Sequence, residues 1–154
     1  MNQTGEKIVS KNRRAHYDYH LGERYEAGLV LTGTEIKSIR NSKADLKRAY
    51  ARPDNGEVWI IDLHISPYEQ GNRENHEPER PRKLLLNRRE IFKIEKALND
   101  KGATLIPTRL YLKNGLAKVE IAVATGKKNY DKRQAVAKKD ANRQIQRTLK
   151  DRNQ

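Results

Sequence analysis

Two Asn-Gly pairs, each set between short apolar runs, constrain this chain more than any other feature. Asn114-Gly115 is flanked by Leu110-Tyr111-Leu112 and by Val119-Glu120-Ile121-Ala122-Val123. Pro53-Asp54-Asn55-Gly56 separates the Tyr50 region from the apolar run at residues 58–65. Asn-Gly supplies the left-handed conformations of a tight hairpin turn, so each pair predicts two antiparallel strands. In the second, Val119, Ile121 and Val123 are expected to face a core, with Lys118, Glu120 and Ala122 on the other face.

The remaining segments fit the same class. Residues 25–31 read as a short strand. Thr32 with Glu35 three residues on is a capping box that opens a helix through Arg40, with Ile36 and Ile39 inward and Lys37 and Arg40 on another face. Residues 66–82 hold three prolines and no aliphatic residue, which predicts a mobile surface loop. Residues 83–86 re-enter the body. Asn87 with Glu90 caps a second helix with an Ile91, Ile94, Leu98 stripe that stops near Gly102. Short strands joined by Asn-Gly turns, with helices inserted, predict a mainly β protein: a small antiparallel barrel with two to three short helices. An oligonucleotide-binding-like barrel is one member of that class, and composition alone does not choose it over an SH3-like barrel. No internal repeat is present.

Charge divides the chain. Residues 126–154 contain ten Lys or Arg and three acidic residues, +7 of the formal +13, and leave +6 to the first 125 residues. This predicts a folded domain over residues 1–125 and a basic tail over 126–154. The tail is too polar to fold alone, disordered when free and ordered against a polyanion. Its thin apolar stripe, Ala137, Ala141, Ile145 and Leu149, would lie along one face if the tail became helical.

Other classes have little support. The absence of Cys excludes disulfides and thiolate metal sites. There is no apolar run of about 20 residues for a membrane span and no signal-peptide pattern at the N-terminus; the expectation is a soluble, cytoplasmic protein. His16 and His20 are four apart and could share a metal on a helix, but His64 and His76 have no matching spacing, and isolated histidines more often serve as hydrogen-bonding groups. Gly126-Lys127-Lys128 lacks the first glycine and the Ser/Thr of a phosphate-binding loop. No Ser or Thr has an identifiable base partner. The expectation is no enzyme, no metal and no cofactor.

The cationic features point to RNA. Lys11-Asn12-Arg13-Arg14, followed by Tyr17 and Tyr19, interleaves phosphate donors with stacking rings. Lys37/Arg40, Arg82/Lys83 and the tail add to it. Glu26 stands out as an acid: half of an ion pair, an acceptor for a base amino or imino group, or a group that holds an arginine in position.

Six collinear segments then carry a resemblance over residues 8–143: Asn12-Arg13-Arg14-Ala15-His16-Tyr17; Tyr25-Glu26-Ala27-Gly28-Leu29-Val30-Leu31; Gly33-Thr34-Glu35-Ile36-Lys37-Ser38-Ile39-Arg40; His64-Ile65-Ser66-Pro67-Tyr68; Arg82-Lys83-Leu84-Leu85-Leu86; and Gly126-Lys127-Lys128-Asn129-Tyr130-Asp131-Lys132-Arg133. In these the chain resembles the SmpB family of tmRNA-binding proteins (SsrA-binding proteins). Thr125 departs from the family pattern, where an Arg commonly precedes the glycine. The resemblance implies an oligonucleotide-binding-like barrel and a ribosome-rescue factor in trans-translation. Such a factor binds the tRNA-like domain of tmRNA as a monomer, one per tmRNA, and promotes its charging by alanyl-tRNA synthetase. With elongation factor Tu and GTP it accompanies tmRNA into the empty A site of a stalled bacterial ribosome. It also implies an RNA-binding surface of Glu26, Leu85 and Lys118, with Asn12, Arg13, Arg14, Lys37, Arg40 and Lys83 as neighbours. Lys127, Lys128, Tyr130, Asp131, Lys132 and Arg133 would belong to a tail that enters the vacant mRNA channel and decoding centre. The alternatives are a generic RNA chaperone or ribosome-associated basic protein, and an enzyme acting on RNA.

Overall fold

The computed structural model describes residues 5–70, 75–127 and 137–147. In chain order the elements are β1 (Glu6–Lys11), α1 (Arg13–Asp18), β2 (Tyr19–Leu29), α2 (Gly33–Arg40), β3 (Ala44–Asp45), β4 (Tyr50–Asp54), β5 (Glu57–Ile61), β6 (His64–Ile65), β7 (Arg82–Leu85), α3 (Arg88–Lys101), β8 (Thr104–Lys113) and β9 (Leu116–Gly126). A fourth helix, α4, covers 137–147 and is exposed at every residue.

Both Asn-Gly pairs close hairpins, with Asn55, Gly56, Asn114 and Gly115 at φ of 51°, 78°, 52° and 80°. These are the paired left-handed conformations of a two-residue turn whose twist matches its strands. The first turn sets Asp54 opposite Glu57, and the second sets Lys113 opposite Leu116. The strands run β1-β8-β4-β5-β7-β2-β9, and β9 pairs back onto β8. This closes the sheet into a mainly β, antiparallel, oligonucleotide-binding-like barrel. On its side away from β9, β8 meets β4 through Ala51 opposite Leu105, and β1 along residues 109–113. A separate two-stranded pair joins β3 to β6.

The barrel is filled by Ala27, Val58, Ile60, Leu84, Leu105, Leu110, Val119 and Ile121, with Ile39 from α2 and Ile94 from α3. Both capping boxes form as the sequence predicts: Thr32 with Glu35, and Asn87 with Glu90. α3 ends on Gly102 at φ 59°, the left-handed residue that terminates helices cheaply. Among the described residues no helix is long and apolar enough to cross a membrane.

Four expectations need correction. First, Ala122 does not face solvent. It is wholly buried. So is Ala124, two residues on, where α1 lies on the outside of the β8–β9 hairpin and packs Ala15 against Ile106 and Ala124. Second, β2 starts at Tyr19, six residues before the expected strand, and β1 is an added strand. Third, the described stems of the 66–82 segment are tied down. His76 bridges Thr34 Oγ1 (2.9 Å) and the Ile65 carbonyl (2.8 Å), and Asn75 Nδ2 donates to the Tyr68 carbonyl at 2.7 Å. Fourth, Arg82 is not a surface cation: it is wholly buried, as is its partner Glu35.

That last pair is the polar centre of the fold. Glu35 Oε1 accepts from the Thr32 backbone N–H at 2.8 Å, and Oε2 accepts from Arg80 Nε at 3.1 Å and from Arg82 Nε. The rest of the Arg82 guanidinium donates to the carbonyls of Leu63 (2.6 Å) and Pro78 (3.1 Å). One carboxylate thus starts α2, holds β7 and anchors the end of a long loop.

Candidate nucleic-acid interface

Strand register decides which predicted residues meet. Gly28 on β2 lies opposite Leu85 on β7 and Lys118 on β9, and Lys118 in turn lies opposite Tyr111 on β8. Opposed residues share a face, so Leu85, Gly28, Lys118 and Tyr111 form one row across four strands. Gly28 leaves the middle of that row low. A Cβ built there would stand 3.5 Å from the Leu85 side chain and 3.7 Å from Lys118 Nζ. Glu26, two residues along β2, is on the same face. The structure therefore brings Glu26, Leu85 and Lys118 together.

The chemistry of the patch is mixed. Leu85 is 53% exposed, an apolar side chain set among charges. The Tyr111 hydroxyl donates to Glu26 Oε1 in a short contact, and Lys113 Nζ reaches the same oxygen at 3.4 Å. The hydrogen bond from Tyr111 holds the Glu26 carboxyl below its ordinary value against the opposing effect of burial, with help from Lys113 and Lys118. Burial, reinforced by Glu26, pushes the Tyr111 phenol far above its ordinary value, so it remains a donor. Arg109 covers the ring with Cζ 4.3 Å from its centroid, a cation–π geometry. Arg109 also pairs with Glu120 at 3.4 Å and Glu6 at 3.3 Å. Glu120 in turn accepts from Thr108 Oγ1 at 2.6 Å. Lysines can meet phosphates here, Leu85 can pack on a sugar or base face, and Glu26 can accept only from a donor.

The other predicted residues lie around this patch or apart from it. Lys83 is on β7, two residues from Leu85, and pairs with Glu57 at 2.8 Å. Lys37 and Arg40 are exposed on α2, whose end is held where Lys7 of β1 donates to the Arg40 carbonyl at 3.2 Å. Asn12 is half-buried and anchors α1: its backbone N–H donates to the Thr108 carbonyl at 2.8 Å and its Nδ2 to the Pro107 carbonyl at 3.1 Å. Pro107 is four residues from Tyr111, about 13 Å along β8. Arg13 and Arg14 are exposed beyond it, with Arg14 paired to Asp18 at 3.4 Å. Arg14 and Asn12 line a cleft with Lys47, Arg48, Tyr19 and Tyr50 rather than with Lys118. The geometry therefore separates the Asn12-Arg13-Arg14 cluster from the Glu26 patch.

His16 is on α1 and His20 on β2, so no helix presents both, and no group of three metal-ligating residues occurs among the described residues. Lys127 is tied to the body, its backbone N–H donating to the Asp18 carbonyl and its Nζ to the His16 carbonyl, each at 2.9 Å. Lys128, Tyr130, Asp131, Lys132 and Arg133 lie outside the described residues. Sequence reasoning missed Tyr111, Lys113 and Arg109 as members of this face. Their spacing of two along one strand was the available signal.

A family model described as SmpB protein matches residues 9–151. The chain is 60% identical over 151 residues to the SsrA-binding protein of Desulfitobacterium hafniense, covering 98% of this chain and 97% of the relative. It is 54% identical over 145 residues to the SsrA-binding protein of Carboxydothermus hydrogenoformans, covering 94% and 97%. Among solved structures, one described as "tmRNA-SmpB: a journey to the center of the bacterial ribosome" superposes with a TM-score of 0.65 at 42% identity, over 82% of this chain and 92% of that one.

Proposed function

Because the chain belongs to the SmpB protein family, we propose that it binds tmRNA and serves trans-translation on bacterial ribosomes, in the cytoplasm and without catalysis of its own. The barrel face bearing Glu26, Leu85 and Lys118 takes the tRNA-like domain of tmRNA as a monomer. Binding promotes alanylation by alanyl-tRNA synthetase and delivery, with elongation factor Tu and GTP, to the empty A site. The tail, with Lys127, Lys128, Tyr130, Asp131, Lys132 and Arg133, occupies the vacant mRNA channel and decoding centre. The nascent peptide is then tagged for degradation and the ribosome released.

The observation that carries this reading is the single row in which Leu85, Gly28 and Lys118 meet beside Glu26. A purely electrostatic binder has no use for an acid and an exposed leucine there. Recovering RNA bound to the chain in native cells, and sequencing it, tests the reading directly. One enriched RNA with a tRNA-like fold supports it, whereas a broad transcript population points to a general RNA chaperone.

Two substitutions probe the face. Lys118→Ala should weaken binding to the tRNA-like RNA and lower the slope of log affinity against log salt by about 1, as for one lost phosphate contact. Its melting temperature should hardly move, since Lys118 is only half-buried. Binding unchanged at every salt concentration would remove Lys118 from the interface. Glu26→Lys adds two positive charges, so electrostatics alone would tighten binding. If Glu26 accepts a specific hydrogen bond, affinity should instead fall about tenfold or more. A gain in affinity with an unchanged circular-dichroism spectrum would leave Glu26 without that role.

A further inference from the structure

Tyr111 sits on β8 and Glu26 on β2, with β9 between them. Bridging two strand spacings, about 10 Å, takes a long side chain with a terminal donor, and the Tyr111 hydroxyl reaches Glu26 Oε1. The ring is 1% exposed and capped by Arg109 at 4.3 Å, so the hydroxyl has little freedom. Lys113 Nζ points at the same oxygen at 3.4 Å. Both protein donors therefore converge on Oε1, and no described residue donates to Oε2. The Glu26 side chain is nevertheless 41% exposed. A carboxylate fixed by one oxygen and open at the other is an acceptor with a set direction. It repels phosphate and matches an N–H donor on a base edge, such as the guanine N1–H and N2 amino group.

We propose that Tyr111 is a positioning residue that locks Glu26 so that its second carboxylate oxygen accepts a hydrogen bond from a nucleobase N–H donor of the bound RNA. The inference rests on the RNA-binding reading of this face. Tyr111 itself need not touch RNA; it supplies direction, while Lys113 and Lys118 supply charge. Discrimination between a tRNA-like RNA and other RNA of equal length then depends on a hydroxyl buried beneath the surface that the RNA meets.

The test uses the full chain with a transcribed tRNA-like RNA and a random RNA of equal length at one salt concentration. Tyr111→Phe keeps the ring and removes the hydroxyl. Affinity for the tRNA-like RNA should fall about tenfold, with random-RNA affinity unchanged and the Glu26 carboxyl, followed by NMR, titrating nearer its ordinary value. In a Glu26→Gln background the same change should cost nothing further, because the second oxygen that it directs is replaced by an amide NH2 that cannot accept. Placing 4-aminophenylalanine at position 111 restores a donor and should restore affinity, which controls for any packing defect in the phenylalanine variant. RNA with inosine in place of guanosine loses the N2 amino group, and a smaller Tyr111→Phe effect on that RNA identifies that donor. Unchanged discrimination by folded Tyr111→Phe, or losses that add in the double variant, overturns the positioning role while Glu26→Gln and Lys118→Ala still lose binding. If those two also bind normally, the interface itself is wrong.

Discussion

Replacing Glu35 with glutamine is expected to remove about 3–5 kcal/mol of folding stability, the usual cost of stripping one partner from a buried ion pair. Set against the 5–15 kcal/mol that holds a typical domain together, that is a large fraction of the total. Arg82 would keep its carbonyl acceptors at Leu63 and Pro78 but lose its counter-charge in a site with no solvent access. Urea unfolding should show a lower midpoint at an unchanged slope; a shift of less than about 1 kcal/mol would mean that Arg80 and Arg82 find another anion. Replacing the pair by apolar residues, often harmless elsewhere, should not restore full stability, because those two carbonyls would lose their donor.

The same carboxylate sets an acid limit. Burial acts to raise the Glu35 value, but hydrogen bonds from Arg80, the Thr32 N–H and Arg82 outweigh it and leave it below the ordinary 4.5. A group depressed in the folded state stabilises fully above its unfolded value, and that contribution is lost as pH falls through the folded one. Wild-type stability should therefore decline as pH drops below about 4.5, and the gap between wild type and Glu35→Gln should narrow over the same range.

Why this pair escaped sequence reading, when the caps and hairpins did not, follows from the range of the forces. Thr32/Glu35, Asn87/Glu90, Gly102 and the two Asn-Gly turns act within four residues, so their spacing carries the information. Glu35 and Arg82 are 47 residues apart. Glu35 was legible as a cap, which it is, but its second oxygen belongs to a distant strand, and Arg82 looked like any cation beside Lys83. α1 was hidden for the same reason. Arg13–Asp18 is six residues long, too short to be helical by itself, and it is fixed by Asn12 on the Pro107 and Thr108 carbonyls. That cover also buries Ala124 on the outer face of β9. The site was legible only in part: Glu26 stood out as an acid and Lys118 as an outward residue, likeness to a family added Leu85 and grouped the three, and their meeting at Gly28 required a register that no local motif encodes.

Cutting the chain after Lys128 should separate two activities. β9 ends at Gly126, and Lys127 is tied to the body through the Asp18 and His16 carbonyls. The described part of the tail beyond, α4, is exposed at every residue, Ile145 at 58%. No described residue of the removed segment is buried, so the melting temperature should stay close to that of the full chain. Affinity for the tRNA-like RNA should fall only by the long-range attraction of eight of the ten tail cations, a loss that shrinks as salt rises. Tagging on stalled ribosomes should nevertheless disappear, because Tyr130, Asp131, Lys132 and Arg133 go with the cut. Tyr130→Ala in the full chain should give a partial defect, since stacking of a base on an aromatic ring is worth about 1–3 kcal/mol. RNA affinity and tagging have to be measured on the same preparations. Normal tagging by the shortened chain would reduce the tail to an electrostatic accessory. Loss of RNA affinity at high salt as well would mean instead that the tail belongs to the tmRNA interface.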